Sequence, residues 1–183
     1  MGFKIVVDSC GDLTEEMKKD DRFISVPLTL VVDGEEMVDD ESFDQKACLK
    51  KMDASPECPK SSCPSPQRYM ETFLSGEDRY YVVTLSEQLS GSYNSARLGM
   101  EMAKEENPDL KIHIFNSRSA SIGETLIATH IRECEEKGFD FEKTVKDTER
   151  YIKGQNTFFV LENLDVLRKN GRLSNLKSFV ASA

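Results

Sequence analysis

The sequence predicts an α/β fold with a mostly parallel sheet flanked by helices. Short apolar runs such as residues 5–7 and 80–83 recur along the chain and alternate with segments of helical pattern, an order typical of parallel sheets. These runs are almost continuously apolar, as strands covered by helices on both faces are. The chain has 183 residues, 38% of them hydrophobic, which is enough for a substantial core.

The strands are predicted from β-branched and aromatic runs. Phe3–Asp8 is the first, and the Asp33-Gly34 pair predicts a turn between the second strand and a short third one. In chain order, the predicted strands are Phe3–Asp8, Val26–Val32, Glu36–Val38, Tyr80–Leu85, Lys111–Asn116 and Thr157–Leu161.

The helices are predicted from residues that favour helix ends. The start signals are Asp12 with Glu15, Ser42 with Gln45, Ser65 with Pro66, and Ser90 or Ser92. Gly138 is the predicted C-cap of the longest helix. In chain order, the predicted helices are Leu13–Asp20, Phe43–Met52, Gln67–Leu74, Ser90 or Ser92 to about Glu106, Ser121–Lys137, Phe141–Lys153 and Leu164–Lys169.

Residues 54–66 interrupt this alternation because they hold four of the six prolines in the chain. Proline fixes the backbone and removes a hydrogen-bond donor, so this segment is expected to be a connector without regular strand pairing. At the other end, residues 175–183 have the pattern of the first turns of an apolar helix. We therefore expect a first domain over residues 1–155 and the beginning of a second α/β domain, part of a longer protein, over residues 156–183.

Charge and hydropathy exclude several classes of function. The chain has 24 Lys and Arg against 33 Asp and Glu, a net charge of −9, which disfavours binding to nucleic acid. No apolar stretch approaches the roughly 20 residues that span a bilayer, and the N-terminal pattern is not that of a signal peptide. We therefore expect a cytoplasmic protein that is not integral to a membrane.

Hydroxyl side chains follow the predicted strands, whereas the usual catalytic motifs are absent. There is no P-loop, dinucleotide-binding glycine pattern, HExxH or GxSxG sequence. Serines after parallel strands share the carboxyl edge of the sheet, where hydroxyls and helix N-termini can bind an anion, although each serine could equally be a helix cap. Asp8, at the end of the first strand, is expected to hold loop amides. The serines are Ser9, Ser61, Ser62, Ser86, Ser90, Ser92, Ser117, Ser119 and Ser121.

Several segments, in order from end to end of the chain, resemble the motifs of the DegV family. Each is short, but together they are specific. They are Val6–Leu13, the opening strand and turn; Val26-Pro27-Leu28 followed by Asp33-Gly34, the second strand and hairpin; Ser61–Pro66, the TSxPS loop with Ser for Thr; Leu89–Ala96, the LSGTYxSA segment; Asn116–Ser121, the DSRSAS segment with Asn for Asp; and Leu164–Ser174, the LxxLxKGGRIS stretch.

The resemblance implies a two-domain α/β protein that binds a long-chain fatty acid, with the acyl chain in a buried tunnel of the first domain. The best-understood members are binding subunits of bacterial fatty acid kinase. In that system a separate kinase subunit uses ATP to phosphorylate the carboxyl group, and the acyl phosphate enters phospholipid synthesis. The chain is thus expected to be a binding protein rather than an enzyme, to need no cofactor, and to have a fatty acid and a kinase subunit as partners.

Carried over residue by residue, the motifs imply that Ser61 and Ser90 hold the fatty acid carboxylate. Arg172 is expected to contact the loops or this head group, or to have a structural role. The second group of residues expected at the carboxylate is Ser62, Gly91, Ser92, Ser119 and Arg172.

Two other functions stay open at the level of sequence. Ser90 could serve an acyl hydrolase, although His113 lies in a predicted strand and His130 in the middle of a predicted helix, both poor positions for a catalytic base. Cys58 and Cys63 could serve a redox or metal protein. Five cysteines without a paired CxxC set instead favour reduced thiols and no metal site.

Overall fold

The computed structural model of the protein describes residues 2–158, 160 and 168–172. Within them the chain forms an α/β structure with two sheets. The strands are β1 (Phe3–Asp8), β2 (Phe23–Val26), β3 (Thr29–Val32), β4 (Glu35–Val38), β5 (Lys60–Ser62), β6 (Arg79–Thr84) and β7 (Lys111–Asn116). The helices are α1 (Glu15–Lys19), α2 (Gln45–Ala54), α3 (Pro66–Phe73), α4 (Ser92–Glu106), α5 (Ile122–Glu136) and α6 (Phe141–Gly154).

The larger sheet has four parallel strands in the order β2-β1-β6-β7, as the fold class predicted. In the central pair, Val6 of β1 is in register with Val82 of β6, and Val82 is in register with Ile114 of β7. Both central strands are almost fully buried. Their apolar, β-branched sequences are suited to this position, because side chains on both faces must pack against helices.

Helices cover both faces of the parallel sheet. On one face, Ile5 and Val7 pack with side chains of α5 and α6, including Ile131 and Ile152. On the other face, Val6 and Val82 pack with α3 and α4, where Tyr69, Phe73 and Ala96 are buried. The alternation of side chains along each strand therefore divides the apolar residues between two cores.

The smaller sheet is antiparallel, in the order β4-β3-β5. The prediction of one strand over Val26–Val32 was wrong, because the run divides into β2 and β3, which belong to different sheets. The division falls at Pro27, which has no N–H to continue a ladder, and the next amide, that of Leu28, donates to Ser9 Oγ at 3.0 Å.

The expectation that residues 54–66 avoid strand pairing was also wrong in part. Ser61 of β5 is in register with Leu30 of β3. Pro59 and Pro64 flank this three-residue strand instead of occupying it, so the paired residues keep their N–H groups. Prolines here limit the length of a strand without preventing its formation.

Several predicted helix caps differ from those in the structure. Thr14 caps α1 by accepting from the Met17 amide at 3.2 Å, whereas Asp12 accepts from the Ser121 hydroxyl. Asp44 caps α2, and Ser42 donates instead to Asp40 Oδ1 at 2.6 Å. Ser65 caps α3, with Pro66 at its first position, as predicted. The C-cap of α5 is Lys137 rather than the predicted Gly138, which follows it with a positive φ of 76°. Gly91 and not a serine precedes α4.

Several predictions concern the C-terminal part of the chain. At residues 157, 158 and 160 there is no strand, and the rest of the strand predicted to Leu161 lies outside the described residues. Most of the helix predicted over 164–169 and all of that over 175–183 also lie outside them. Within the described residues, no helix is both long and apolar enough to cross a bilayer.

Candidate functional site

The candidate site lies at the carboxyl edge of the parallel sheet. The strand order reverses direction between β1 and β6, because the chain continues from β1 to β2 on one side and from β6 to β7 on the other. A crevice outside the strands forms at such a reversal, and ligands of open α/β sheets bind there. The loop that follows β6 contains Ser90.

Ser90 is held in a tight turn before α4. Its amide donates to the Ser86 carbonyl oxygen at 3.0 Å, and its Oγ accepts from the Ser92 amide at 3.2 Å. The Ser90 and Ser92 hydroxyls are also 3.1 Å apart. Ser92 is fully buried and supports the turn, whereas Ser90 is half-buried.

Ser61 reaches the site from the smaller sheet. It lies in β5, is half-buried, and its Oγ accepts a hydrogen bond from Arg172 Nη2 at 3.1 Å. Arg172 thus makes the contact to a site loop that the sequence suggested. Since a hydroxyl both donates and accepts, the Ser61 proton stays available to an anion. Asn170 Nδ2 also donates to the Pro59 carbonyl oxygen at 3.0 Å, which seats the 168–172 turn on this strand.

The Ser61 and Ser90 loops meet at Cys63. Its Sγ lies 3.5 Å from Ser95 Oγ in the first turns of α4. A Cβ added to Gly91 would lie 3.1 Å from the same sulfur, closer than most Cβ contacts. Gly91 therefore permits a close approach: Cys63, two residues after Ser61, lies against the start of the helix that follows Ser90.

The other candidate hydroxyls are bonded within the protein. Ser9 donates to Asp39 Oδ2 at 2.7 Å, and Ser117 donates to the Ser119 carbonyl oxygen at 3.1 Å. Ser119, expected at the carboxylate, is buried with its Oγ 2.7 Å from Thr157 Oγ1. Ser62 is exposed at the end of β5. Ser61 and Ser90 are also bonded, to Arg172 and Ser92, and both are half-buried.

A buried acidic pair lies beneath the Ser90 turn. Asp8 is fully buried and accepts from the Leu85 amide at 2.9 Å and from the Cys10 amide at 3.2 Å, which is the scaffold role the sequence suggested. Glu124 of α5 is also fully buried, and among the described residues its carboxyl oxygens have no hydrogen-bond partner. Burial and the nearby charge of Asp8 raise the pKa of Glu124 to about 10.

Glu124 therefore keeps its proton at neutral pH. Burial also raises the pKa of Asp8, while the hydrogen bonds that it accepts from the Leu85 and Cys10 amides act in the opposite direction. Glu124 was not among the residues predicted from the sequence. Its spacing from Ala128 and Ile131, four and seven residues later, is the signal that places it on the buried face of the helix.

Neither histidine of the chain is arranged as a catalytic base. His113 Nε2 lies 3.2 Å from Glu149 Oε1, and His130 Nε2 lies 3.0 Å from Asp147 Oδ2, both acceptors on α6. Within the described residues, Ser90 makes its side-chain hydrogen bonds with Ser92. A serine hydrolase needs a base hydrogen-bonded to its nucleophile, so this geometry offers no support for one.

The chain matches a protein-family model along almost its whole length. A family model described as "Uncharacterised protein, DegV family" covers residues 2–183. A curated relative, a DegV domain-containing protein of Streptococcus pneumoniae, is 38% identical over 178 residues, which are 96% of this chain and 63% of the relative. The chain therefore spans less than two thirds of the length of this relative.

Two solved structures are similar in both sequence and fold. A DegV family protein of Ruminococcus gnavus, refined with vaccenic acid, is 53% identical with a TM-score of 0.92 over 95% of this chain and 62% of that one. The fatty acid kinase B3 protein of Streptococcus pneumoniae, loaded with linoleic acid, is 36% identical with a TM-score of 0.86 over 97% of this chain and 64% of that one.

Proposed function

The chain belongs to the DegV family, and from that premise we propose that it binds a long-chain fatty acid, with the carboxylate held by Ser61 and Ser90. The observation that carries the proposal is the approach of the two serine loops at Cys63 and Gly91. This contact supports a shared site for the Ser61 hydroxyl of β5 and the Ser90 hydroxyl of the loop after β6. The fatty acids in the two similar structures give the chemical class of the ligand.

The donors at the crevice are suited to a carboxylate that must react later. Hydroxyl groups bind each oxygen by a hydrogen bond without the tight ion pair that a facing lysine would form. Arg172 donates to Ser61 Oγ, which leaves the Ser61 hydroxyl proton free to donate to the carboxylate. Its guanidinium also adds positive charge near the anion. Of the other residues expected at the carboxylate, Gly91 permits the close approach of Cys63, and Ser92 supports the Ser90 turn.

The acyl chain supplies most of the binding free energy in this proposal. Each methylene removed from water contributes about 0.8 kcal/mol, so a long chain binds well with few polar contacts. Ile122 and Leu126 are exposed one turn apart at the start of α5, next to the Ser119 segment. Apolar side chains near this edge are available to cover part of a lipid.

We further propose that the protein presents its ligand to a separate ATP-dependent kinase and has no turnover of its own. The chain lacks a P-loop sequence, and phosphoryl transfer depends on groups that position a metal-bound nucleotide. The half-buried Ser61 and Ser90 leave the carboxylate within reach of a docked protein. The proposal includes the domain division at residue 155 and a cytoplasmic location.

The test combines lipid detection with two activity assays on the 183-residue chain. Native mass spectrometry of protein purified from bacteria is expected to show one co-purified long-chain fatty acid per chain. Delipidated protein supplied with oleic acid and labelled ATP is expected to form no acyl phosphate, and to leave a nitrophenyl acyl ester intact. Protein that neither retains nor rebinds a fatty acid would refute the binding function, and ester turnover lost in Ser90→Ala would favour the hydrolase.

A further inference from the structure

A cluster of histidine, cysteine and aspartate lies away from the candidate site, between α5 and α6. His130 and Cys134 are four residues apart on α5, so they lie one above the other on the same side of the helix. Asp147 faces them from α6. His130 is eight residues into α5, about 12 Å along the helix axis from its first residue, and the fatty acid proposal uses none of the three.

The spacing of the three side chains matches the donor spacing of a tetrahedral zinc site. His130 Nε2 is 3.0 Å from Asp147 Oδ2 and 3.6 Å from Cys134 Sγ, and Cys134 Sγ is 3.8 Å from Asp147 Oδ2. Around a tetrahedral zinc ion with ordinary bond lengths, the N–O, N–S and S–O separations are about 3.3, 3.6 and 3.5 Å. Each of the three distances between donor atoms is thus within a few tenths of an ångström of its ideal value.

We propose that His130 Nε2, Cys134 Sγ and Asp147 Oδ2 bind a zinc ion. The Cys134 thiol gives up its proton to solvent when the sulfur binds, the imidazole binds as the neutral base, and a water molecule fills the fourth position. The water enters from a cleft of about 360 Å³ whose lining includes His130, Asp147, Tyr151 and Gln155. Imidazole and thiolate donors select zinc over magnesium or calcium, which prefer oxygen ligands alone.

Neighbouring side chains already hold the ligands in place. The Tyr151 ring stacks on the His130 imidazole with centroids 4.4 Å apart and planes 10° apart. Arg150 binds Asp147 Oδ1 and leaves Oδ2 directed at His130. The Arg150 side chain is 80% exposed, so solvent screens its charge from the ion. Contacts of this kind, made to the ligands and not to the metal, orient the ligands and raise the affinity for the metal.

Zinc at this position would join α5 to α6 on one face of the parallel sheet. Cys134 and Ile131 of α5 are buried there, and Ile152 of α6 packs in the same core. The ion would therefore have a structural role, since it would cross-link two helices whose apolar residues already pack together. The water in the fourth position would leave the ion accessible to a chelator through the cleft.

The experiment is a cobalt titration of the metal-free, reduced 183-residue chain. Cobalt in a tetrahedral site with one cysteine gives strong visible bands and a near-ultraviolet sulfur-to-metal band, and stoichiometric zinc should abolish both. We expect one cobalt per chain. Cys134→Ser should remove the sulfur-to-metal band. His130→Gln should weaken cobalt binding by more than the roughly 10–100-fold that is typical when a residue contacting a metal ligand, and not the ligand itself, is changed.

Two matched controls separate this site from other donors. Cys10→Ser removes the sulfur of the second cluster of suitable residues, Asp8, Cys10 and Glu124. His113→Gln removes the other histidine that is paired with a carboxylate of α6. Both controls are expected to keep the full signal.

The proposal fails if the parent chain binds no cobalt, if Cys134→Ser keeps the sulfur-to-metal band, or if Cys10→Ser loses it. Because Cys134 is buried, Asp147→Asn provides a second variant near the surface in case Cys134→Ser does not fold. It is expected to stay folded by circular dichroism while its cobalt affinity and its zinc-dependent rise in melting temperature fall. Unchanged values for this variant would equally overturn the assignment.

Discussion

The two serines that are proposed to bind the carboxylate are supported by sheets that differ in how deeply they are buried. Ser90 follows β6, a strand buried along almost its whole length, and its turn lies above Asp8, which is itself fixed by two backbone amides. Ser61 belongs to β5, a three-residue edge strand in a sheet whose β4 is mostly exposed. One side of the crevice therefore rests on a packed core, whereas the other rests on a short ladder near the surface.

This difference indicates how the site would work. Segments with few buried apolar contacts open at lower free energy than core strands. The Ser90 side can thus provide a fixed position for the carboxylate, while the β5 side can move slightly to admit a lipid and then close on it. Arg172, by contacting Ser61, ties the closing side to the 168–172 turn.

The largest expected loss of stability comes from the contrast between one apolar side chain of each sheet. Ile5→Ala in β1 leaves a cavity in a fully buried core and should lower the free energy of unfolding by about 3–5 kcal/mol. Leu30→Ala in β3, where the side chain is only partly buried, should cost about 1–2 kcal/mol. Urea unfolding of both variants measures the difference, and equal losses would mean that the two sheets are equally well packed.

The next prediction concerns the buried acid beneath Ser90. Folded protein keeps the Glu124 proton up to a pKa of about 10, whereas the unfolded chain releases it near 4.5, so the parent loses stability as pH rises between these values. Glu124→Gln removes this loss. Its advantage in unfolding free energy over the parent should grow with pH from 5 to 9, by up to about 1.4 kcal/mol per unit. An advantage that is independent of pH would show that Glu124 is ionised in the folded protein.

The smallest expected effect on stability comes from the contact between the two loops. Gly91→Ala places a methyl group 3.1 Å from Cys63 Sγ, so the Ser61 loop must shift by a few tenths of an ångström. Because the Ser61 loop belongs to the short edge strand β5, which can shift at low cost, we expect a stability loss below about 1 kcal/mol. We also expect several-fold weaker binding of oleic acid.

Cys63→Ala in the same background provides the control, since it removes the sulfur that the new methyl group meets. Binding should recover in the double variant. If Gly91→Ala binds oleic acid as tightly as the parent does, the two loops do not form one site.

The same contrast explains how far the sequence could predict the structure. Three of the four strands of the parallel sheet, β1, β6 and β7, were identified because buried β-branched runs have a strong local signature, as in Phe3–Asp8. β2 and part of the smaller sheet were missed. β2 and β3 form one apolar run whose division depends on Pro27, and β5 is too short to show a pattern of its own.

At the candidate site, the sequence motifs predicted the Ser61 and Ser90 loops, and the two amides that donate to Asp8 confirm its scaffold role. They could not reveal which serines are already bonded within the protein, because the contact between Ser9 and Asp39 spans thirty residues of sequence. The pairing of Asp147 with His130 likewise depends on how α6 packs against α5. Contacts between distant segments follow from the fold, and the local pattern does not contain them.

The central claim is that Ser61 and Ser90 together hold the carboxylate, and the most direct test is equilibrium binding of oleic acid to delipidated Ser61→Ala/Ser90→Ala. Each lost hydrogen bond to a charged group should cost about 1.5–3 kcal/mol, so the double variant should bind roughly a hundred-fold or more weakly. Ser42→Ala/Ser75→Ala, which changes two exposed serines elsewhere, should bind as the parent does. Parent-like affinity in Ser61→Ala/Ser90→Ala, with its fold intact by circular dichroism, would contradict the account.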